Sequence, residues 1–489
     1  MKRIILLGVI CAGLAQYSMA QTNILKEAAL LQEQGQFKGA AQLLTNAIQS
    51  KKYSGIGLRA LEFDLDRLER IKQDYSSTHD ELFNDLKQSL KGITPEEFEK
   101  WIKAGWFDAR EIDGKMCFLN VSVSNLYFRH PELNSRRIKP KDDAAKEQAV
   151  LANCEAIQKA ARETKTPYVL PKTFHVTMKV ATKADAVPAG ETIRAWVPIP
   201  RQYPFQKDFK LTASSLPPKN VDDENSPIRS IYFEQPAAKG KPTEFNIEYN
   251  FTAYGVSFDL KPEQVKPYDR NDPAVKQYTS EAPHVVFTPE IKALSAKIVG
   301  NETNPMLKAK KIYDWLGDHL LYSYSTEYST IPNISEYCRN MGYGDCGQQA
   351  LLFITLCRYN GIPARWQTGW DMWPGKTTNH DWTEINLAPY GWVPVDPYMA
   401  NYAMRYITTL SQEKKLKIRD FYFGGLTQYR MSANSDHNQA LRPAKQTMRS
   451  DDVDFQRGEL EYGNKNLYFD KFSYKFNYKE IAPPAHGLE

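Results

Sequence analysis

The sequence predicts an α+β protein in which helical and β-rich segments follow one another along the chain. Apolar residues recur at helical spacing through most of the first 165 residues. Between about 170 and 262, apolar and polar residues alternate with period two. Beyond 263, helical patterns return and lead into a strongly apolar helix followed by three short strand patterns. We expect an N-terminal helical domain, a β-sandwich domain, and a third domain in which a helix packs on an antiparallel sheet.

The first 20 residues have the pattern of a secretory signal peptide. Lys2 and Arg3 precede an apolar run at 4–14, and Ser18-Met19-Ala20 supplies small residues for cleavage before Gln21. That run is too short to cross a bilayer, and no later stretch reaches about 20 uncharged apolar residues. We therefore expect a signal peptide at 1–20 and an exported protein, periplasmic or extracellular, with no transmembrane segment after the leader.

Composition favours a packed globular protein. Hydrophobic residues make up 42% of the 489 residues and charged residues 25%, and the formal net charge is +5. This small excess of positive charge argues against nucleic acid or an anionic membrane as the partner. No basic stripe interleaved with aromatic residues is present either.

The N-terminal domain is expected at 21–165. Residues 24–52 have the pattern of a helical hairpin around Gly35 that resembles one tetratricopeptide unit, but no second copy follows. Thr94 is a good N-cap because Pro95 and two glutamates follow it. Asp113-Gly114 predicts a tight β-hairpin. The other predicted helices of this domain are 57–72, 78–91 and 142–163.

The sandwich domain is expected at 170–262 and the catalytic-type domain at 263–489. Strand patterns of the sandwich lie at 176–180, 192–200 and 245–251. Helices are predicted at 289–298, 306–320 and 347–359, the last ending before Gly361 and Pro363. Three strands follow at 364–370, 379–387 and 392–396. The tail, with aromatic-rich segments at 421–425, 455–462 and 466–470, is expected to form two closing strands.

Cys346 is the strongest candidate for a reactive residue. It directly precedes the predicted apolar helix, so its thiol meets the positive end of the helix dipole and unpaired N–H groups. Both favour the thiolate, which is the nucleophilic form.

His380 and Asp396 are the expected base and its orienting group. His380 opens the second strand and Asp396 closes the third, so an antiparallel hairpin brings them to one sheet end. There His380 would take the thiol proton of Cys346, and Asp396 would hold one ring nitrogen.

Four sequence blocks carry a resemblance to a known family. They are Gly344-Asp345-Cys346-Gly347, Arg358 to Arg365, His380-Asp381-Trp382-Thr383-Glu384 and Gly391 to Pro397. Together they resemble the bacterial transglutaminase-like superfamily, over about 170–410. The resemblance implies a papain-like core with a Cys-His-Asp triad, matched here by Cys346, His380 and Asp396. The family includes peptidases, amidases and amine-transferring enzymes, as well as members that have lost activity.

Two further residues are candidates for the oxyanion or substrate site. Tyr322 follows the helix before the active site, and Trp370 lies by a Gly- and Pro-containing loop. Ligand-spaced partners are absent for His175, His284, His319 and His437, and no Asp/Glu cluster has the family's calcium-site spacing, so we expect neither a metal nor another cofactor.

The cysteine count leaves two interpretations open. After removal of the leader five cysteines remain, an odd number. Bridges Cys117–Cys154 and Cys338–Cys357 would leave Cys346 free, and the alternative is that all five are reduced.

These features predict an exported thiol enzyme that attacks an amide carbonyl through a cysteine thioester, as a hydrolase or an acyltransferase. Its substrate would be a peptide or protein amide, a cell-wall peptide being one candidate. The alternative is a non-catalytic glycan- or protein-binding protein that uses the core as a scaffold.

Overall fold

A computed structural model describes residues 22–139 and 143–482. The predicted signal peptide and its cleavage site lie outside the described residues. The chain divides into two compact units, one of Met1–Lys141 with Tyr324–Ile331 and one of Asp142–Ser323 with Pro332–Glu489. Within the described ranges no helix is both long enough and apolar enough to cross a bilayer.

The first unit is mainly helical. Its helices and strands are α1 (22–33), α2 (Phe37–Gln49), α3 (Gly55–Asp74), α4 (His79–Ser89), α5 (Pro95–Lys103), β1 (Ala109–Ile112), β2 (Lys115–Phe118) and α6 (Ser122–Arg129), with 3-10 turns at Pro131–Arg136 and Tyr328–Thr330.

Local sequence signals explain several boundaries in this unit. Gly35 separates α1 from α2 with a positive φ of 74°, as expected for a helical hairpin. Thr94 accepts a hydrogen bond from the backbone N–H of Glu97, which confirms it as the N-cap of α5. The antiparallel pairing of β1 with β2 confirms the predicted hairpin at Asp113-Gly114.

The second unit combines helices with two sandwich sheets and a smaller sheet. Its elements are α7 (Ala144–Thr164), β3 (Tyr168–Thr182), β4 (Thr192–Pro198), β5 (Gln206–Ser214), β6 (Asn220–Val221), β7 (Ser230–Pro236), β8 (Glu244–Ser257), a 3-10 turn at Pro262–Gln264, α8 (Pro273–Tyr278), α9 (Pro289–Val299), α10 (Pro305–His319), β9 (Leu321–Tyr322), α11 (Ile334–Met341), β10 (Tyr343–Gly344), α12 (Cys346–Tyr359), β11 (Ala364–Asp371), β12 (Thr378–Leu387), β13 (Gly391–Val395), α13 (Pro397–Arg405), α14 (Gln412–Phe421), β14 (Gly425–Leu426), β15 (Arg430–Asn434), β16 (Glu459–Tyr462), β17 (Lys465–Leu467) and β18 (Phe472–Ile481).

The sandwich consists of two five-stranded sheets whose apolar side chains form one core. One sheet has the order β14-β8-β3-β18 with β5 on β8, and the other has the order β17-β16-β4-β7-β6. Four strands from beyond residue 424, which are β14, β16, β17 and β18, therefore complete the sandwich. Within the aromatic-rich tail segments, 421–425 holds the end of α14 and the start of β14, and 455–462 holds β16. The ten-residue β18 is a strand that the sequence patterns did not indicate.

Helix α7 packs in the second unit. Its residues Leu151, Cys154 and Ile157 share a core with Val169 of β3 and Phe421 of α14. The sequence-based division at 165 assigns this helix to the N-terminal domain, and that three-domain division stays a prediction.

The smaller sheet carries the candidate site. Its order is β13-β12-β11-β15, and α12 packs against β11 and β12. Gly369 in β11 permits the approach of β15, since a Cβ there would lie 1.7 Å from the carbonyl oxygen of Met431. A register shift between Thr368 and Gly369 marks the same point of the pairing.

The Gly369→Ala substitution tests this close approach. We expect a loss of about 3 kcal/mol in the free energy of unfolding, because backbone must move to admit the methyl group. Urea denaturation measures the change. The control Gly39→Ala, where the nearest atom to a new Cβ is 3.8 Å away, should leave stability unchanged or slightly raised. Equal stability of Gly369→Ala and wild type would contradict the packing described.

Candidate active site

Cys346 is the first residue of α12. Asp345 caps this helix: its carboxylate accepts from the backbone N–H of Gln348 at 3.0 Å, and the Gln348 side chain accepts from the N–H of Asp345 at 3.2 Å. This reciprocal pair fixes where the helix begins. The Cys346 side chain therefore lies beside the first N–H groups of a helix that is buried along nearly its whole length.

His380 and Asp396 lie together, as the strand pattern predicts. The His380 Nε2 atom is 2.8 Å from Asp396 Oδ2. Asp396 directly follows β13 and caps α13, its Oδ1 accepting from the backbone N–H of Met399 at 3.2 Å. One buried carboxylate thus serves both a helix start and the histidine.

Arg430 is a third partner of Asp396 that sequence reasoning missed. Its Nη2 donates to Asp396 Oδ2 at 3.0 Å, and both side chains are buried. Burial alone would raise the pKa of Asp396, but the positive charges of His380 and Arg430, with hydrogen bonds, outweigh it and lower that pKa below its ordinary value. Asp396 is therefore ionised at neutral pH. No local motif marks Arg430, which reaches the site only through the pairing of β15 with β11.

The Cys346 thiol contacts Asp381. Its Sγ donates to Asp381 Oδ2 at 3.5 Å, while no hydrogen bond joins Cys346 to His380 among the described residues. Burial, followed by the charges of Asp381 and Asp345, raises the pKa of the Cys346 thiol well above its ordinary value, although a backbone hydrogen bond from Asp381 acts in the opposite direction. In this arrangement Cys346 favours the thiol, whereas the sequence predicted the thiolate from the position of Cys346 at the helix start. The reason is that desolvation and the nearby carboxylates outweigh the helix dipole.

The remaining oxygen of Asp381 is held by two donors. Thr368 Oγ1 and Gln456 Nε2 both donate to Oδ1, the second at 2.8 Å. Thr368 lies directly opposite Asp381 in the β11–β12 pair. Gln456 comes from the long connection before β16 and is fully buried.

Tyr322 lies at the edge of the same site. Strand β9 pairs in parallel with β10, which places Tyr322 opposite Gly344, two residues before Cys346. Its ring packs on Tyr398 with centroids 5.1 Å apart, and Tyr398 in turn contacts the His380 ring edge-on at 5.4 Å.

Trp370 is a core residue rather than a cleft residue. It is 4% exposed and stacks on Phe476 of β18 with centroids 4.3 Å apart. Strand alternation explains this position. Gly369 lies directly opposite His380, so the next residue along β11 faces away from the histidine and into the sandwich.

All five cysteines of the described chain are free thiols. Cys154, Cys338 and Cys357 are buried, whereas Cys117 and Cys346 are partly exposed. In the described ranges, no three His, Cys, Asp or Glu residues are grouped so that they could hold a metal ion.

Comparison with known proteins places a family match over this region. Residues 292–397 match the transglutaminase-like superfamily core. Protein YebA of Bacillus subtilis (strain 168), itself uncharacterised, is 30% identical over 128 residues, which are 22% of this chain and 17% of YebA. This chain therefore spans less than a fifth of that relative.

Two solved structures also resemble the chain. A provisionally assigned cysteine protease from Cytophaga hutchinsonii has a TM-score of 0.42 and 14% sequence identity, covering 65% of this chain and 94% of that one. The periplasmic domain of TgpA from Pseudomonas aeruginosa has a TM-score of 0.26 and 12% identity, covering 55% and 96%.

The Arg430→Gln substitution tests the buried ion pair. We expect a loss of about 3–5 kcal/mol in unfolding free energy at pH 7, because Asp396 loses a charged partner inside the protein. In wild type, the contribution of Asp396 is present above its unfolded pKa of about 4 and is lost only as pH falls through the lowered folded pKa. In the variant the carboxyl takes up a proton at milder acidity. The difference should therefore shrink toward pH 4.

Chemical denaturation at several pH values measures this difference. Lys417→Gln is the control, since that residue forms an exposed pair with Glu413 and should change stability by less than about 0.5 kcal/mol. A loss at Arg430 no larger than that of the control would contradict the assignment.

Proposed function

The chain contains a transglutaminase-like core, and from this premise we propose that it is an exported thiol enzyme that forms a cysteine thioester with an amide substrate. The observation that carries the proposal is the hydrogen bond between His380 and an ionised, buried Asp396, together with the contact of Cys346 with Asp381, the next residue of β12. A histidine held in this way at one nitrogen has the other available as a base.

The proposed reaction begins with transfer of the thiol proton to His380. The Cys346 sulfur then attacks the amide carbonyl, and the N–H groups at the start of α12, with Tyr322 beside them, face the developing oxyanion. His380 returns the proton to the leaving amine, and a thioester to Cys346 remains. Water or an acceptor amine resolves the thioester, giving hydrolysis or acyl transfer.

The resting contact of Cys346 with Asp381 adds one step to this sequence. The thiol must leave the carboxylate before His380 can accept its proton, since one S–H cannot donate to both. The proposed movement is a change of the Cys346 side-chain rotamer toward His380.

Trapping the thioester tests the proposal. Wild-type protein incubated with candidate cell-wall peptides and protein substrates, then quenched in acid, should gain the mass of an acyl group on the Cys346 peptide. Cys346→Ser should gain none, and Asp396→Asn should acylate about 10²–10⁴-fold more slowly, because the histidine loses its orienting partner. Cys117→Ser, which removes the other partly exposed thiol, is the matched control and should acylate like wild type.

Other outcomes would favour the alternative of a binding protein. If no substrate acylates wild type while a glycan or peptide binds equally well to wild type and Cys346→Ser, the core is a scaffold. Equal acylation of wild type and Asp396→Asn would reject the role given to Asp396.

Export is the localisation that the leader-like N-terminus supports. Expression of the full chain in a Gram-negative host and fractionation should place it outside the cytoplasm, with Gln21 as the first residue of the mature protein. Recovery of intact Met1 in the cytoplasmic fraction would contradict this assignment.

A further inference from the structure

The Asp381 carboxyl has two oxygens with different surroundings. Oδ1 accepts hydrogen bonds from Thr368 and Gln456, so its lone pairs in the carboxyl plane are occupied. Oδ2 faces the Cys346 sulfur at 3.5 Å. The residue is 3% exposed, so water does not offer either oxygen many alternative partners. A proton that binds this carboxyl must therefore bind at Oδ2, where its nearest acceptor is the sulfur.

Protonation of Asp381 reverses the direction of the hydrogen bond between its Oδ2 and the Cys346 sulfur. As a carboxylate, Asp381 accepts from the thiol and opposes a negative charge on sulfur by repulsion. As a carboxylic acid, it donates from Oδ2 and favours the thiolate. The contact between Oδ2 and Sγ therefore stabilises the thiol when Asp381 is ionised and the thiolate when Asp381 is protonated.

We propose that Asp381 controls the reactivity of Cys346: the carboxylate form holds the sulfur as a thiol, and the acid form releases it as a thiolate paired with the His380 imidazolium. This inference rests on the proposed function, because it assumes that the thiolate is the working nucleophile and that His380 receives its proton. The enzyme would consequently be more active in mildly acidic than in mildly alkaline conditions.

The surroundings of Asp381 favour a change in its protonation near neutral pH. Burial, followed by the charge of Asp345, raises the pKa of Asp381 to about 7, while the hydrogen bond from Thr368 lowers it. Burial and the neighbouring carboxyls Asp381 and Asp451 also raise the pKa of Asp454 well above its ordinary value.

Other charged groups face the pair from several elements. Asp345 lies at the start of α12, His380 on β12, Arg430 on β15, and the connection before β16 contributes three more. The charged groups that act on Asp381, Asp454 or Cys346 include Asp345, Arg430, Asp451, Asp454 and Arg457. The two arginines favour carboxylate and thiolate alike, whereas the carboxyls oppose both.

The experiment is the pH dependence of Cys346 alkylation by iodoacetamide, a neutral probe whose own charge does not change. The labelled Cys346 peptide is quantified by mass spectrometry from pH 5 to pH 9. In wild type we expect the rate constant to fall about tenfold between pH 6 and pH 8, because the protonated fraction of a group titrating near 7 falls by about that factor. In Asp381→Asn, which cannot ionise, we expect no fall over that interval.

A second variant keeps the test decisive if Asp381→Asn does not fold. Thr368→Val removes a donor to Oδ1 that favours the carboxylate, so the fall in rate should move to higher pH while its amplitude is retained. The proposal would be overturned if the pH profiles of the Cys346 alkylation rate were superimposable for wild type and the folded variants. It would also be overturned if the wild-type alkylation rate only rose with pH.

His380→Ala separates this inference from the proposed function. If labelling of Cys346 slows in His380→Ala while Asp381→Asn follows wild type, the nucleophile account holds and the control by Asp381 fails. If His380→Ala leaves labelling unchanged at every pH, the thiolate–imidazolium pair fails, and both proposals fall.

Discussion

The buried carboxylate of Asp396 is the constraint on which the site depends. It caps α13, holds the His380 ring and pairs with Arg430, so it links a helix, a central strand and an edge strand of the small sheet. A carboxylate in a dry interior is stable only with such partners. Because Arg430 lies on β15, whose approach requires Gly369, the geometry of the histidine depends on the packing of β15 against β11.

Local patterns predicted much of this arrangement. The start of α12 was expected from the apolar run that follows Cys346, and the strands that carry His380 and Asp396 follow from alternation and the turn between them. Those signals lie within a few residues of the elements they define. The placement of Trp370 was wrong because its facing depends on the register of β11 against β12, which composition around a loop does not reveal.

The site residues that the sequence did not indicate come from segments far along the chain from Cys346. Arg430 and Gln456 belong to stretches to which the sequence assigned no chemical role, and they reach the site through long-range strand pairing and a buried connection. The thiolate expected at the helix start also depended on a local argument, the dipole, whereas burial and the carboxyl of Asp381 set the balance. Residues that tune a site by their charge are found only when the fold brings them together.

The central claim is that Asp396 holds the Nε2–H tautomer of His380 and leaves Nδ1 as the base. Long-range ¹H–¹⁵N correlation spectra of protein labelled at histidine, with His380 assigned by the loss of its signals in His380→Gln, measure this directly. For the neutral ring we predict a proton on Nε2 and an unprotonated Nδ1. A ring protonated at Nδ1, with Nε2 bare and facing Asp396, would contradict the account.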